Sequence, residues 1–151
     1  MKLNQLPAFL IGRVSPDSYE RWLFRKAQAH VKRDRKRGRQ CAGSEYRSAI
    51  HRAVVQSGGK DAYTGEQLDW SLISQYDNDA SKSGKHAYKA GFALLPTVDH
   101  FESALHDSGF RICAWRTNDA KHDLNLEDFL TLCHRVVAYG LKELGDSEAP
   151  T

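Results

Sequence analysis

Cysteine is scarce in this chain: three residues, at 41, 113 and 133. They are odd in number, far apart, and never form a Cys-x-x-Cys pair. Neither a disulfide framework nor a zinc knuckle is indicated. A reducing, cytoplasmic setting is therefore expected. Long hydrophobic runs are also missing. No stretch approaches the length that crosses a bilayer, and Leu6 to Gly12 is too short and wrongly flanked for a secretory signal. No membrane partner is expected. The aromatic run of an RNA-recognition motif is absent too.

What is there is an ordinary globular composition, 40% hydrophobic and 27% charged over 151 residues. That length suffices for one domain, 1–151, with a real core. The net charge of +3 conceals an asymmetry. Arg21 to Arg39 carries nine lysines and arginines against one aspartate, leaving 13 basic and 18 acidic residues elsewhere. A concentrated basic segment on a mildly acidic body points to a polyanionic partner.

Met1 to Val14 reads as an apolar lead-in. Ser15-Pro16-Asp17 then opens a helix, with Ser as N-cap, Pro in the first turn and Asp at the positive dipole end. Tyr19, Trp22, Leu23, Ala27 and Val31 recur at helical spacing as a core-facing stripe. The helix runs to about Lys36 and stops by Gly38. Arg25, Lys32, Arg33, Arg35, Lys36, Arg37 and Arg39 are the candidate nucleic-acid contacts, of the sequence-independent phosphate type. The competing reading is a solvated helix end whose cations suit the C-terminal dipole.

Ser44 is expected to cap a second helix through Gln56, with Tyr46, Ile50, Ala53 and Val54 inward and Gly58-Gly59 as its stop. These two helices make an N-terminal segment over 1–57. Ala62 to Gly65 reads as a short strand and turn, and Trp70 as buried. Tyr76 to Gly91 is polar and reads as a long loop, disordered or functional. Phe92 to Phe101 is expected to be a strand, Glu102 to Gly109 a turn carrying a solvated His106, and Phe110 to Trp115 a second strand. Asn125 is the expected N-cap of a last helix, with Asp128 three residues on. Leu126, Phe129, Leu130, Leu132, Cys133, Val136 and Val137 would build its apolar face, making Cys133 a core thiol. Residues 145–151 read as a frayed tail.

Chemistry concentrates in two stretches, Pro96-Thr97-Val98-Asp99-His100 and Thr117-Asn118-Asp119-Ala120-Lys121-His122-Asp123. The order strand, loop, strand, loop, helix places Asp99 and His100 at the end of the first strand. It places Asn118 on the loop that opens the helix. Asp and Asn supply oxygen to a hard cation, and a neutral His takes a proton from water. The combination suits metal-assisted phosphodiester hydrolysis. Taken singly, each residue has an ordinary structural explanation: a turn aspartate, a half-buried strand histidine, an Asx turn.

Asp99-His100 followed by Asn118 and, three residues later, Lys121 resembles the HNH (ββα-metal) nuclease motif. The variant it is most similar to is the Asp-His, Asn-x-x-Lys form in the HNH domains of RNA-guided CRISPR effector nucleases. Tyr63-Thr64-Gly65 agrees, because that branch often carries it where other branches carry the first Cys pair of a zinc knuckle. The resemblance covers roughly 62–139.

The resemblance implies an α+β fold, mostly helical overall, with a ββα-metal core behind the N-terminal helices. It implies a DNA endonuclease. One Mg²⁺ or Mn²⁺ ion would be held by Asp99 and Asn118, with His122 a further candidate ligand. His100 would be the general base, and Lys121 would steady the loop or a phosphate, with a salt bridge to Asp123 as its simpler role. No structural zinc is expected. Two alternatives stay open: a DNA-binding module of this fold that does not cut, and a nuclease for RNA or structured nucleic acid. A lone HNH site cuts one strand at a time, so cutting both would need a homodimer or a protein partner.

Overall fold

The computed structural model describes residues 4–76, 78–100 and 109–147. Its first long element is α1, Pro16–Lys36. Ser15 caps it as the sequence expects, its hydroxyl accepting from the Ser18 amide at 3.2 Å. Tyr19, Trp22, Leu23, Ala27 and Val31 are buried. Burial of the larger of these side chains stabilises the fold by roughly 1.5–3 kcal/mol each. The same stripe continues through His30 and Asp34, which are also buried.

The second helix, α2, spans Gly43–Ser57. Its N-cap is Ala42, which makes no side-chain cap bond, and not Ser44. Its inward face is Tyr46, Ala49, Ile50, Ala53 and Val54, and it ends on Gly58 in the left-handed conformation at φ +58°. The Tyr46 hydroxyl donates to Asp34 at 2.5 Å and so ties α2 to α1. Trp70 opens a short 3₁₀ turn to Ser74. It lies edge-on to Trp22, the centroids 5.5 Å apart, and donates its indole N–H to the Gly59 carbonyl.

The polar stretch before the hairpin is not a loop. Asn78–Gly91 forms helix α3. Its alanines and lysines are good helix formers, and they prevail over Gly84 and the serines that suggested a loop. The first strand is also shorter than expected: β1 is Pro96–His100, because Phe92 to Leu95 is a turn closed by the Leu95 amide on the Phe92 carbonyl at 3.0 Å. Strand β2 is Phe110–Ala114. The two pair antiparallel, with Thr97 opposite Cys113, Asp99 opposite Arg111 and His100 opposite Phe110. Phe101 and the expected turn with His106 lie outside the described residues, as do residues 148–151 of the tail.

Helix α4, Trp115–Lys121, follows β2 with no intervening loop. The Trp115 and Arg116 amides donate to the carbonyls of Leu95 and Ala93, which satisfies two of the donors a helix start leaves open. The last helix, α5, is Leu126–Ser147. The Asn125 side chain accepts from the Asp128 amide at 2.8 Å, as expected of its cap. Leu130, Val136, Val137, Leu141 and Leu144 are more than half exposed, and Cys133 is half-buried rather than a core thiol.

The fold is thus α+β and mostly helical, with a two-stranded antiparallel sheet. By internal contacts it divides into two compact units, Met1–Ala120 and Lys121–Thr151. The hydrophobic core described above belongs to the first. Among the described residues no helix is long and apolar enough to cross a membrane.

Candidate active site

The site is built on the end of β1. Strand β1 is fixed to α1 by two long-range contacts. Lys26 Nζ donates to Thr97 Oγ1 at 3.2 Å, and His30 Nε2 lies 3.2 Å from the Val98 carbonyl. A carbonyl can only accept, so His30 carries its proton on Nε2. Burial, reinforced by Arg33, His100 and Lys26, holds the His30 pKa down at about 4, so the ring is neutral at pH 7.

Asp99 is buried and accepts from the Tyr63 hydroxyl at 2.5 Å. Tyr63 is the middle residue of its turn, and Arg111 lies over its ring at 5.6 Å. Burial, and then the hydrogen bond to Asp99, raise the Tyr63 phenol far above its ordinary range. It therefore stays a donor at any working pH.

His100, the next residue, has different partners. Its Nδ1 lies 3.0 Å from Asp34 Oδ2. The ring stacks on Phe110 at 4.6 Å between centroids and meets His30 and Tyr46 edge-on. Its side chain is 10% exposed and that of Asp34 is fully buried.

Asn118 is not on a loop. It is the fourth residue of α4 and is partly buried. Its place depends on Asp61, a buried residue that the sequence did not single out. One Asp61 oxygen accepts from the amides of Tyr63 and Thr64 at 2.7 and 3.0 Å. The other accepts from the Ala114 amide and the Thr117 hydroxyl at 2.8 and 2.7 Å. One carboxylate thus joins the Tyr63 turn, the end of β2 and the first turn of α4. The sequence signal available was an Asp two residues before Tyr63, an Asx-turn position.

Lys121 ends α4 and is buried. His122 has a positive φ of 53°, and its Nδ1 pairs with Asp123 at 2.8 Å on an exposed surface. Among the described residues no three or more His, Cys, Asp and Glu side chains gather into a metal-binding group. The donors that suit a hard cation are the Asp99 carboxylate and the Asn118 amide oxygen.

Of the basic positions, Arg25, Lys32, Arg33, Arg35, Lys36 and Arg37 are exposed. Arg25 reaches the Ile73 carbonyl at 3.4 Å, and Arg35 the Cys41 carbonyl at 3.0 Å. Arg39 turns inward, 3.9 Å from Asp34.

Comparison with protein families, with characterised proteins and with solved structures finds no significant match.

Proposed function

We propose that this chain is a metal-dependent endonuclease of HNH type that hydrolyses phosphodiester bonds of DNA in the cytoplasm. The observation that carries the reading is the arrangement at the hairpin. Asp99 and His100 end β1, and Asn118 follows on the helix that leaves β2 directly. His100 Nδ1 lies 3.0 Å from Asp34 Oδ2, and a proton on Nδ1 puts the ring's lone pair on Nε2.

Asp99 and Asn118, the hard oxygen donors, would hold Mg²⁺ or Mn²⁺ with water. When bound, the ion supplies charge neutralisation at the scissile phosphate and at the leaving oxygen. Tyr63 fixes the Asp99 carboxylate by its hydrogen bond. His100 Nε2 takes a proton from the attacking water, and the resulting hydroxide attacks phosphorus. The bond from phosphorus to the 3′ oxygen breaks, and that oxygen takes up a proton. Lys121 lies three residues after Asn118 on α4, at a spacing that shares one helix face, and steadies a phosphate. The exposed cations of α1 hold the backbone of the nucleic acid without reading its sequence.

One observation favours a second reading, a DNA-binding module that does not cut. The His100 ring is mostly buried among Phe110, His30 and Tyr46, as a structural histidine would be. Incubation of the purified protein with supercoiled plasmid, single-stranded DNA and RNA, each with Mg²⁺, Mn²⁺ or EDTA, separates these. Metal-dependent nicking of the plasmid is expected. Binding to all three without cutting would favour the module, and preferential cutting of RNA would change the substrate.

A further inference from the structure

We infer that Asp34, within the basic arm on α1, is the positioning residue for His100. This rests on the nuclease reading for its catalytic meaning, while the contact itself stands on geometry.

Three groups converge on one oxygen, Asp34 Oδ2. They are the Tyr46 hydroxyl at 2.5 Å, His100 Nδ1 at 3.0 Å and Arg39 Nη1 at 3.9 Å. The other oxygen, Oδ1, is buried with no hydrogen-bond partner among the described residues. A fully buried carboxylate with an unsatisfied oxygen is an expensive way to join two helices, and a hydrophobic pair of similar volume would serve stability at least as well. The surroundings make the choice more costly: Asp34 continues the stripe of Tyr19, Trp22, Leu23, Ala27 and Val31, where an apolar residue is expected.

What the carboxylate supplies and an apolar residue does not is an acceptor for the Nδ1 proton of His100. That bond selects the Nδ1–H tautomer, places the lone pair on Nε2, and offsets the charge of the imidazolium formed when Nε2 takes a proton from water. Phe110 holds the ring plane by stacking at 4.6 Å. The N-terminal helices then do more than support the hairpin and bind phosphate, since α1 completes the base.

The test uses ¹⁵N-histidine NMR of the metal-free full chain at a pH where His100 is neutral. The His100 signals are assigned by their loss in His100→Ala. The wild type is expected to show the Nδ1–H tautomer, and Asp34→Asn to shift it towards Nε2–H. In a plasmid assay, Asp34→Asn is expected to lower kcat by about 10²-fold or more, the range of a general base. KM and DNA affinity should be unchanged. An Nε2–H tautomer in the wild type overturns the proposal, and needs no variant to fold. So does an Asp34→Asn protein with unaltered tautomer and rate. A folded wild type that cuts nothing overturns the nuclease reading, and with it the catalytic role of Asp34. The tautomer then still decides whether the contact exists, so the two failures are read apart.

Discussion

Thr117 donates its hydroxyl to Asp61 at 2.7 Å, joining residues 56 apart in sequence. The same carboxylate serves the amides of Tyr63, Thr64 and Ala114. Replacing Asp61 with alanine leaves four donors without that acceptor at a nearly inaccessible site. A loss of about 3–5 kcal/mol is expected, since each unsatisfied buried donor costs roughly 1–3 kcal/mol and the effects are not additive. Urea unfolding of Asp61→Ala beside the wild type measures it. A loss below about 1 kcal/mol would remove Asp61 as the tie between turn and helix.

The Tyr63 hydroxyl donates to Asp99. Tyr63→Phe keeps the ring under Arg111 and deletes that bond. The stability cost is expected to be about 1 kcal/mol. The larger effect is expected on the metal requirement, with more Mg²⁺ needed for half-maximal cutting because the Asp99 carboxylate loses this hydrogen bond. An unchanged Mg²⁺ titration would show that Tyr63 serves the fold only.

His30 sets an acid limit on stability. Its folded pKa, about 4, lies below the ordinary 6.5. Between these values the unfolded chain binds a proton that the folded chain does not, so stability is lost as pH falls through that window. The loss is expected to reach about 3 kcal/mol by pH 4 and to level off below it. His30→Gln keeps a donor for the Val98 carbonyl and cannot titrate. The difference between the two proteins in urea midpoint at pH 7, 5.5 and 4 isolates the effect. Parallel pH dependence would contradict it.

Lys32, Arg33, Lys36 and Arg37 are exposed on the last turns of α1 and just beyond. Each phosphate contact steepens the salt dependence of binding to duplex DNA by about 0.9 in log–log slope. Replacing all four with alanine is expected to reduce the slope by about 3.6. A slope that does not change would leave these residues as solvated charge at a helix end.

Much of this architecture is legible in residue order because the signals are local. Ser15-Pro16 caps α1, Asn125 caps α5, Gly58 ends α2, and the apolar stripe of α1 falls at its helical spacing. The site is legible only in part. Asp99, His100 and Asn118 carry recognisable chemistry, but the residues that hold them do not. Asp34 sits in a run of arginines and lysines, where it reads as a counter-charge. Only its spacing from Ala27 and Val31 hints that it points inward, and its contact with a histidine 66 residues away is tertiary. Asp61 is hidden for the same reason. Its hydrogen bonds to Ala114 and Thr117 let α4 begin directly after β2, which put Asn118 on a helix where residue order suggested a loop. The misreading of α3 is different in kind: a serine- and glycine-bearing segment resembles a loop locally, and its alanines and lysines, good helix formers, outweigh that appearance when taken together.

The most direct measurement is nicking of supercoiled plasmid in Mg²⁺ by wild type, His100→Ala and Asn118→Ala, with folding of each checked by circular dichroism. Metal-dependent nicking by the wild type is expected, reduced about 10²–10⁴-fold in His100→Ala and lost in Asn118→Ala. Full cutting activity retained in His100→Ala would contradict the assignment of the base and, with it, the reading of this hairpin and helix as a nuclease site.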